Sequence, residues 1–345
     1  MKKTSVVLFG ALLTGSLCMF TACGDGGSVG KVDGNFKQEA TAQELQTALS
    51  SINLENAFGT GDKVGFQIQA EMAVSAKGNG VSSQMEMSFD YAMQGPKMPA
   101  APQAAQDGAQ DVVGSWKDYI PLDQFIGAGK IDFSLKQSAA GSSNAIAFKS
   151  QIYQDPVSIY LDFDMNGQKM KGKISIEELL EALEESMDPE LPEIEDDTDI
   201  ELPDISDGTE VTDLSDTDVE IDWNAVVSSF KPYIDDSKGL KIKLEGREQF
   251  LVESLVKSGI PVDGANFSAL VCDVYLSFGE DGRFLQMGLD IDFAMSIGQI
   301  KVSVKGGLAL KSFNGTITLP EGIASDSSYQ QIPIKDLIGD NAPII

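Results

Sequence analysis

Apolar and polar positions alternate along most of this chain. Val64, Phe66, Ile68, Ala70, Met72 and Val74 are separated by polar or small residues. After a turn around Gly78-Asn79-Gly80 the rhythm returns at Met85, Met87, Phe89, Tyr91 and Met93. A period of two sends successive side chains to opposite faces, so each strand has one apolar and one wet side, as in an antiparallel sheet covered on one face. The same reasoning predicts strands at 130–137, 145–153, 157–165, 168–175, 240–245, 268–279, 284–295, 298–306, 308–312 and 315–319. Helical spacing marks 42–52, 177–186, 224–234 and 247–258. The second of these sets Leu179, Leu180 and Leu183 on one stripe behind an acidic first turn. The expected fold is mainly β (α+β): a large curved antiparallel sheet or half-barrel, with a few amphipathic helices on one face.

The pattern also repeats. Residues 84–93 align with 286–295 at five identities in ten positions, and the match extends backwards to pair Gly80 with Gly282 and Ser75 with Ser277. Downstream, 129–136 matches 298–305 and 146–150 matches 308–312. A helical pattern precedes each hairpin. Four elements in the same order imply an internally duplicated unit, with copies at 42–152 and 247–319. The first copy is enlarged by an insertion over 95–128, which opens on a Pro-, Ala- and Gln-rich stretch from Gly95 to Gln110.

Composition narrows the function. The 345 residues hold 25 basic and 53 acidic side chains, for a net charge of −28, and no His. Such a surface repels phosphate backbones, which argues against nucleic acid as a partner. Without His the chain lacks the usual general base near neutral pH and the commonest transition-metal ligand. Asp188 to Asp222 holds 16 of the acids, with no Lys or Arg and three Pro, and reads as a solvated, disordered insertion. Calcium binding by the alternating acids Asp216, Asp218, Glu220 and Asp222 is the other reading, but the stretch lacks the EF-hand loop pattern. No metal site and no cofactor are expected.

The N-terminus supplies an address. Lys2 and Lys3 precede an apolar run from Val6 to Leu17, as in a secretory signal. Phe20-Thr21-Ala22-Cys23 resembles the lipobox of bacterial lipoproteins, with Phe where Leu is more usual. That resemblance implies cleavage after residue 22, a diacylglyceryl group on Cys23, and extracytoplasmic anchoring to a bacterial membrane. The plainer alternative is a secreted protein with an incidental Cys. Residues 23–40, opening on Gly-Asp-Gly-Gly-Ser-Val-Gly, read as a flexible tether, and 41–345 as one β-rich domain. Removing the signal takes two Lys and Cys18, and leaves Cys23 and Cys272. Cys272 lies in the strand pattern 269–276 and reads as a buried hydrophobe.

A lipobox, a helix leading into long amphipathic strands and more than ten strands together resemble the lipoprotein-carrier half-barrels of the LolA/LolB and LppX type. Gly114-Ser115-Trp116 running into Ile120-Pro121-Leu122 is similar to a Trp-then-helix turn in such chains. The resemblance covers roughly 41–340. It implies a curved sheet wrapping helices around a greasy space that takes up acyl chains. The 95–128 and 188–222 segments depart from that pattern.

The residues fit a hydrophobic carrier on their own terms. Met72, Met85, Met87, Met93, Met287 and Met295 lie on apolar strand positions with Phe89, Tyr91 and Phe293. Flexible, polarizable Met side chains make an adaptable wall for an apolar ligand, or fill an irregular core. The chain has no Gly-x-Ser-x-Gly, P-loop, Cys-x-x-Cys or His-Glu-x-x-His. Two non-enzymatic readings stand: a membrane-anchored monomer that binds or carries a lipid or acyl chain, and a surface interaction or structural lipoprotein with a filled core.

Overall fold

The computed structural model describes residues 28–52, 63–96, 122–139, 142–187, 223–257, 262 and 264–334. Cys23, the 97–121 part of the insertion and the acidic stretch 188–222 lie outside the described residues. The first six strands are β1 (Lys63–Gly78), β2 (Val81–Pro96), β3 (Ile126–Ala139), β4 (Ser142–Gln154), β5 (Ser158–Met165) and β6 (Gln168–Ser175). The others are β7 (Phe230–Asp235), β8 (Lys241–Gly246), β9 (Asn266–Phe278), β10 (Phe284–Ile297), β11 (Ile300–Ser312) and β12 (Gln330–Gln331). Among the described residues four helices accompany them: α1 (Ala42–Ser50), α2 (Ile176–Met187), α3 (Trp223–Ser229) and α4 (Glu248–Lys257).

The strands build one 12-stranded open sheet in the order β12-β6-β5-β4-β3-β2-β1-β11-β10-β9-β8-β7. Two meanders, β1–β6 and β7–β11, meet where β1 pairs antiparallel with β11. Only the short β12 runs parallel to its neighbour, β6. The β1–β2 and β5–β6 hairpins close on Asn-Gly turns in which both residues have positive φ (Asn79 51°, Gly80 76°; Asn166 52°, Gly167 87°). This turn matches the right-handed twist of its flanking strands, which is why Asn-Gly recurs there.

Register explains the faces. Residues directly opposite in an antiparallel ladder share a side of the sheet. Ile68 pairs with Tyr91 and Leu310, Leu310 with Met287, Met287 with Leu276, and Leu276 with Ile242, so one apolar row crosses six strands. Every Lys, Asp and Glu in β1–β11 falls on the opposite face. The division the alternating pattern predicted holds across the whole sheet.

The helices cover the apolar face unevenly. Thr41 and Glu44 form a capping box that starts α1, and Leu45 and Leu49 of that helix are buried against Phe230, Ile242, Leu244, Leu276, Phe278 and Phe284. Trp223, Val226 and Val227 of α3 join this cluster. Leu251 and Phe250 of α4 pack on Cys272, Leu289, Leu270, Ile291 and Leu308. A separate cluster of Val64, Phe66 and Phe125 closes the start of β1, with Met93 and Leu310 against it.

Residues 28–40 differ from the expected tether. They lie across the solvated face, from β11 to β7. Ser28 Oγ donates to the Gly306 carbonyl (3.3 Å), Lys31 pairs with Asp290 (3.2 Å), and the Asn35 amide donates to Asp235 (2.7 Å). Phe36 packs on Tyr275, and the Ala40 amide donates to the Pro232 carbonyl (2.7 Å). Where this strap crosses β10 and β11, Gly30 meets Gly288 and Gly307, and a Cβ on any of the three would collide with backbone.

Three further expectations change. The stretch 298–312 forms one strand after its turn, because Gly306-Gly307 is a crossing point for the strap rather than a break. The fourth element of the proposed repeat therefore lies on the separate strand β4 in one half and on the continuation of β11 in the other. Residues 315–319 form no strand. The helix expected over 224–234 stops at Ser229, and Phe230, Pro232 and Ile234 then alternate into the apolar face of β7. Pro232 sits well on that edge strand, where a missing N–H costs no ladder bond.

Candidate functional site

All nine residues read as a ligand wall share the apolar face. Met72 pairs with Met87, and Met85, Met87, Phe89, Tyr91 and Met93 follow at every second position of β2. Met287, Phe293 and Met295 reach the same face, because Phe293 pairs with Val304 and Val304 with Val74. The long ladder through β1 and β11 thus brings two distant parts of the chain together.

Their surroundings divide them. Met93 packs beside Phe125, and Met287 beside the α1 cluster. Tyr91 is buried, and its ring lies over Gly127 and Gly129 of β3, where a side chain would clash with it. Its hydroxyl donates to Gln154 Oε1 (2.6 Å), and Gln154 Nε2 donates to the Phe125 carbonyl (3.4 Å). Burial pushes the Tyr91 phenol well above its usual range. Phe293 is buried too, with Phe267 at 5.9 Å between ring centroids.

Met72, Met85, Met87, Phe89 and Met295 are only half-buried. Met72, Met85, Met87 and Phe89 lie on β1 and β2, level with the α4-contacting Ile291, Leu270 and Leu308 but on neighbouring strands, and Met295 lies beyond Phe293 on β10. The structure adds neighbours to this group that the sequence reading did not single out. Phe133 pairs with Met87 and Phe148, and Leu135 pairs with Met85 and Ile146. The face becomes more exposed towards β6, with Ile146 at 46%, Met165 at 44% and Met170 at 55% exposure. Phe148 and Phe163 stack obliquely at 5.6 Å. Period two alone marked these positions as apolar, but only the register shows which of them meet.

The opposite face holds a charged cluster under the strap. Lys243 lies 2.9 Å from Asp273 and 3.0 Å from Glu245, and Tyr275 donates to Asp273 (3.3 Å). Burial raises the Asp273 carboxyl despite Lys243, while these partners outweigh desolvation and raise Lys243. Asp235 is held down to about 2 by Ser237 and the Asn35 amide. Among the described residues no group of three or more Cys, Asp or Glu is arranged to hold a metal ion. Cys272 is buried, its thiol pushed up to about 12 by desolvation, with Asp273 and Asp290 adding to the effect. That suits a packing residue and not a nucleophile. No described helix is long and apolar enough to cross a membrane.

Comparison of the chain with protein-family models, curated proteins and solved structures yields no match.

Proposed function

We propose that this protein is a non-enzymatic, extracytoplasmic lipoprotein, anchored through a lipidated Cys23, that binds an apolar ligand such as a lipid or acyl chain. The single observation supporting the ligand is the face around Met72, Met85, Met87, Phe89 and Phe133. It carries no charged side chain on any strand, is rich in Met, and is half-covered beside the helices. A large contiguous apolar surface on a chain of this charge marks an interaction site, and Met-rich walls suit ligands of varied shape. We also read the sheet as curving into a half-barrel, and the β1–β2–β3 and β9–β10–β11 meanders as copies of one unit. The matched segments 84–93 and 286–295 lie on the middle strand of each.

Binding is tested with a fluorescent fatty acid titrated into the chain from residue 28 onward. Saturable binding is expected, weakened several-fold by joint Met85→Gln and Met87→Gln substitution in a protein with an unchanged far-UV spectrum. Absence of saturable binding to the folded protein would transfer the face to protein contacts. The anchor is tested separately. Cys23→Ala is expected to release the protein from the membrane fraction, and unchanged fractionation would refute lipidation.

A further inference from the structure

Three hairpins turn side by side at one end of the sheet. They join β3 to β4, β1 to β2 and β10 to β11, and the order β4-β3-β2-β1-β11-β10 makes their six strands neighbours. Five strand spacings of about 4.8 Å give this end a width of about 24 Å. The turns Gly78–Val81, Ala139–Ser142 and Ile297–Ile300 contain no charged residue. At the opposite end, the β9–β10 turn runs Gly279-Glu280-Asp281-Gly282-Arg283 and is charged.

The two sides of this neutral end differ. On the apolar side the last row brings Ile297, Ile300, Gly78, Val81 and Ala139 together, with the Ile300 side chain 3.0 Å from where a Cβ on Gly78 would stand. Val81 is 51% exposed and Ile300 47%, so aliphatic groups are left in water at the extremity of the sheet. On the other side the last two rows of these strands carry Lys77, Lys301 and Lys136, all exposed, and no acid. Lys77 pairs directly with Lys301 across β1 and β11, a like-charge arrangement that is unfavourable in the free protein. Behind it Ser75 and Ser303 bond to each other (2.8 Å) and supply no counter-charge.

The net charge of −28 is felt weakly here. The first acids on these strands, Glu86 and Asp292, stand four residues in from the Lys77–Lys301 row, about 14 Å away. That exceeds the Debye length of about 8 Å in physiological salt. Asp292 is moreover paired with Lys305 (3.5 Å). The strap crosses β11 at Gly307, six residues from Lys301, and the C-terminal segment meets β4 at Tyr153, eleven residues from Ser142.

We propose that this end of the sheet docks on an anionic bilayer surface, with Val81, Ile297 and Ile300 entering below the headgroups and Lys77, Lys301 and Lys136 at the phosphates. Burial of apolar area and attraction of basic groups to anionic lipid are the two terms that hold a protein at such an interface. The strands then stand on end over the membrane. Met295 lies one row in from Ile297, and Met85 two rows in from Val81, so the Met-rich face opens onto the bilayer at this end. That consequence, unlike the docking, rests on the ligand reading given above.

The test holds the chain from residue 23, with Cys23→Ser, on vesicles through an N-terminal hexahistidine tag and nickel-chelating lipid. The chain has no His of its own, so the tag is the tether. An environment-sensitive dye is placed on Gln299→Cys in one sample and on Glu280→Cys, beyond the other end of β10, in a second. Both positions are exposed, and the buried Cys272 stays unlabelled. On vesicles containing phosphatidylglycerol the Gln299→Cys dye is expected to brighten several-fold and shift to the blue, while the Glu280→Cys dye stays unchanged. Val81→Ser with Ile300→Ser, and separately Lys77→Gln with Lys301→Gln, are expected to remove most of that response in proteins with an unchanged far-UV spectrum. No response at Gln299→Cys, or an equal one at Glu280→Cys, would overturn the docking. An equal response on neutral phosphatidylcholine would overturn the anionic partner. The readout uses neither fatty acid nor lipidation, so failure of the ligand or anchor reading would appear only in the titration and fractionation above.

Discussion

Tyr91 shows how one side chain on the expected wall becomes part of the framework. Its ring needs the absence of side chains at Gly127 and Gly129, and its hydroxyl needs Gln154. Gly127→Ala places a methyl against that hydroxyl and is expected to destabilise the fold by about 1–3 kcal/mol, the usual cost of overpacking. Tyr91→Phe keeps the ring but removes the hydrogen bond to Gln154, at a cost of about 0.5–1.5 kcal/mol. Urea denaturation measures both, and neither is expected to change fatty-acid affinity at the more exposed Met87. Asp235 makes a second prediction at this scale. Its carboxyl is lowered in the fold, so its contribution is complete above the ordinary Asp range near ~3.9 and is lost as pH falls towards about 2. Hydrogen exchange at the Asn35 amide is expected to be faster in Asp235→Asn than in the parent at pH 6. That difference is expected to close as pH approaches 2.

At the scale of elements, the long strands and three of the four helices were legible because alternation or helical spacing persists through each of them. The strap escaped because it has no such period. Residues 28–40 contain few apolar side chains, and the strap is held by backbone amides, Lys31, Phe36 and a glycine crossing, which register no rhythm along the sequence. The alternation predicts two strands, 298–306 and 308–312, whereas the glycines at their junction admit another backbone within one strand. Strand β7 was hidden because 224–234 holds apolar residues at helical spacing, while pairing with β8 took over after Ser229. For the candidate face, composition and alternation found Met85, Met87 and Phe89. Phe133, Phe148 and Ile146 needed the register, since strand partners cannot be read from a single strand. The glycine crossing yields its own test. Gly288→Val is expected to lift the strap, with the sheet intact, and to expose the peptide bonds of 28–40 to protease. Retained protection would show that Phe36 and Asp235 suffice to hold it.

At the scale of the whole molecule, an open sheet must protect two edges from pairing with another chain. On β7 the outer ladder is occupied in part by a bridge between Glu39 and Tyr233 and by the Ala40–Pro232 hydrogen bond. On β6 the cover is shorter. Gln330 and Gln331 pair with Gly172 and Lys173, leaving Gln168 to Lys171 beyond β12. Lys171 is tied to Asp326 (3.0 Å) and lies 4.6 Å from the Tyr329 ring, so it also holds the C-terminal segment in place. Lys169 is exposed on the uncovered stretch, where a charge opposes close approach of a second strand. Lys169→Val removes that charge and raises local β propensity at an exposed position opposite Asp164, so thermal stability is expected to stay within about 1 kcal/mol of the parent. Self-association is expected to increase, read as a concentration-dependent rise in molar mass by light scattering. The effect is expected to be larger in high salt, where the mutual repulsion of this acidic chain is screened. An unchanged monomer across concentration and salt would show that the short β12 cover protects the edge without the lysine.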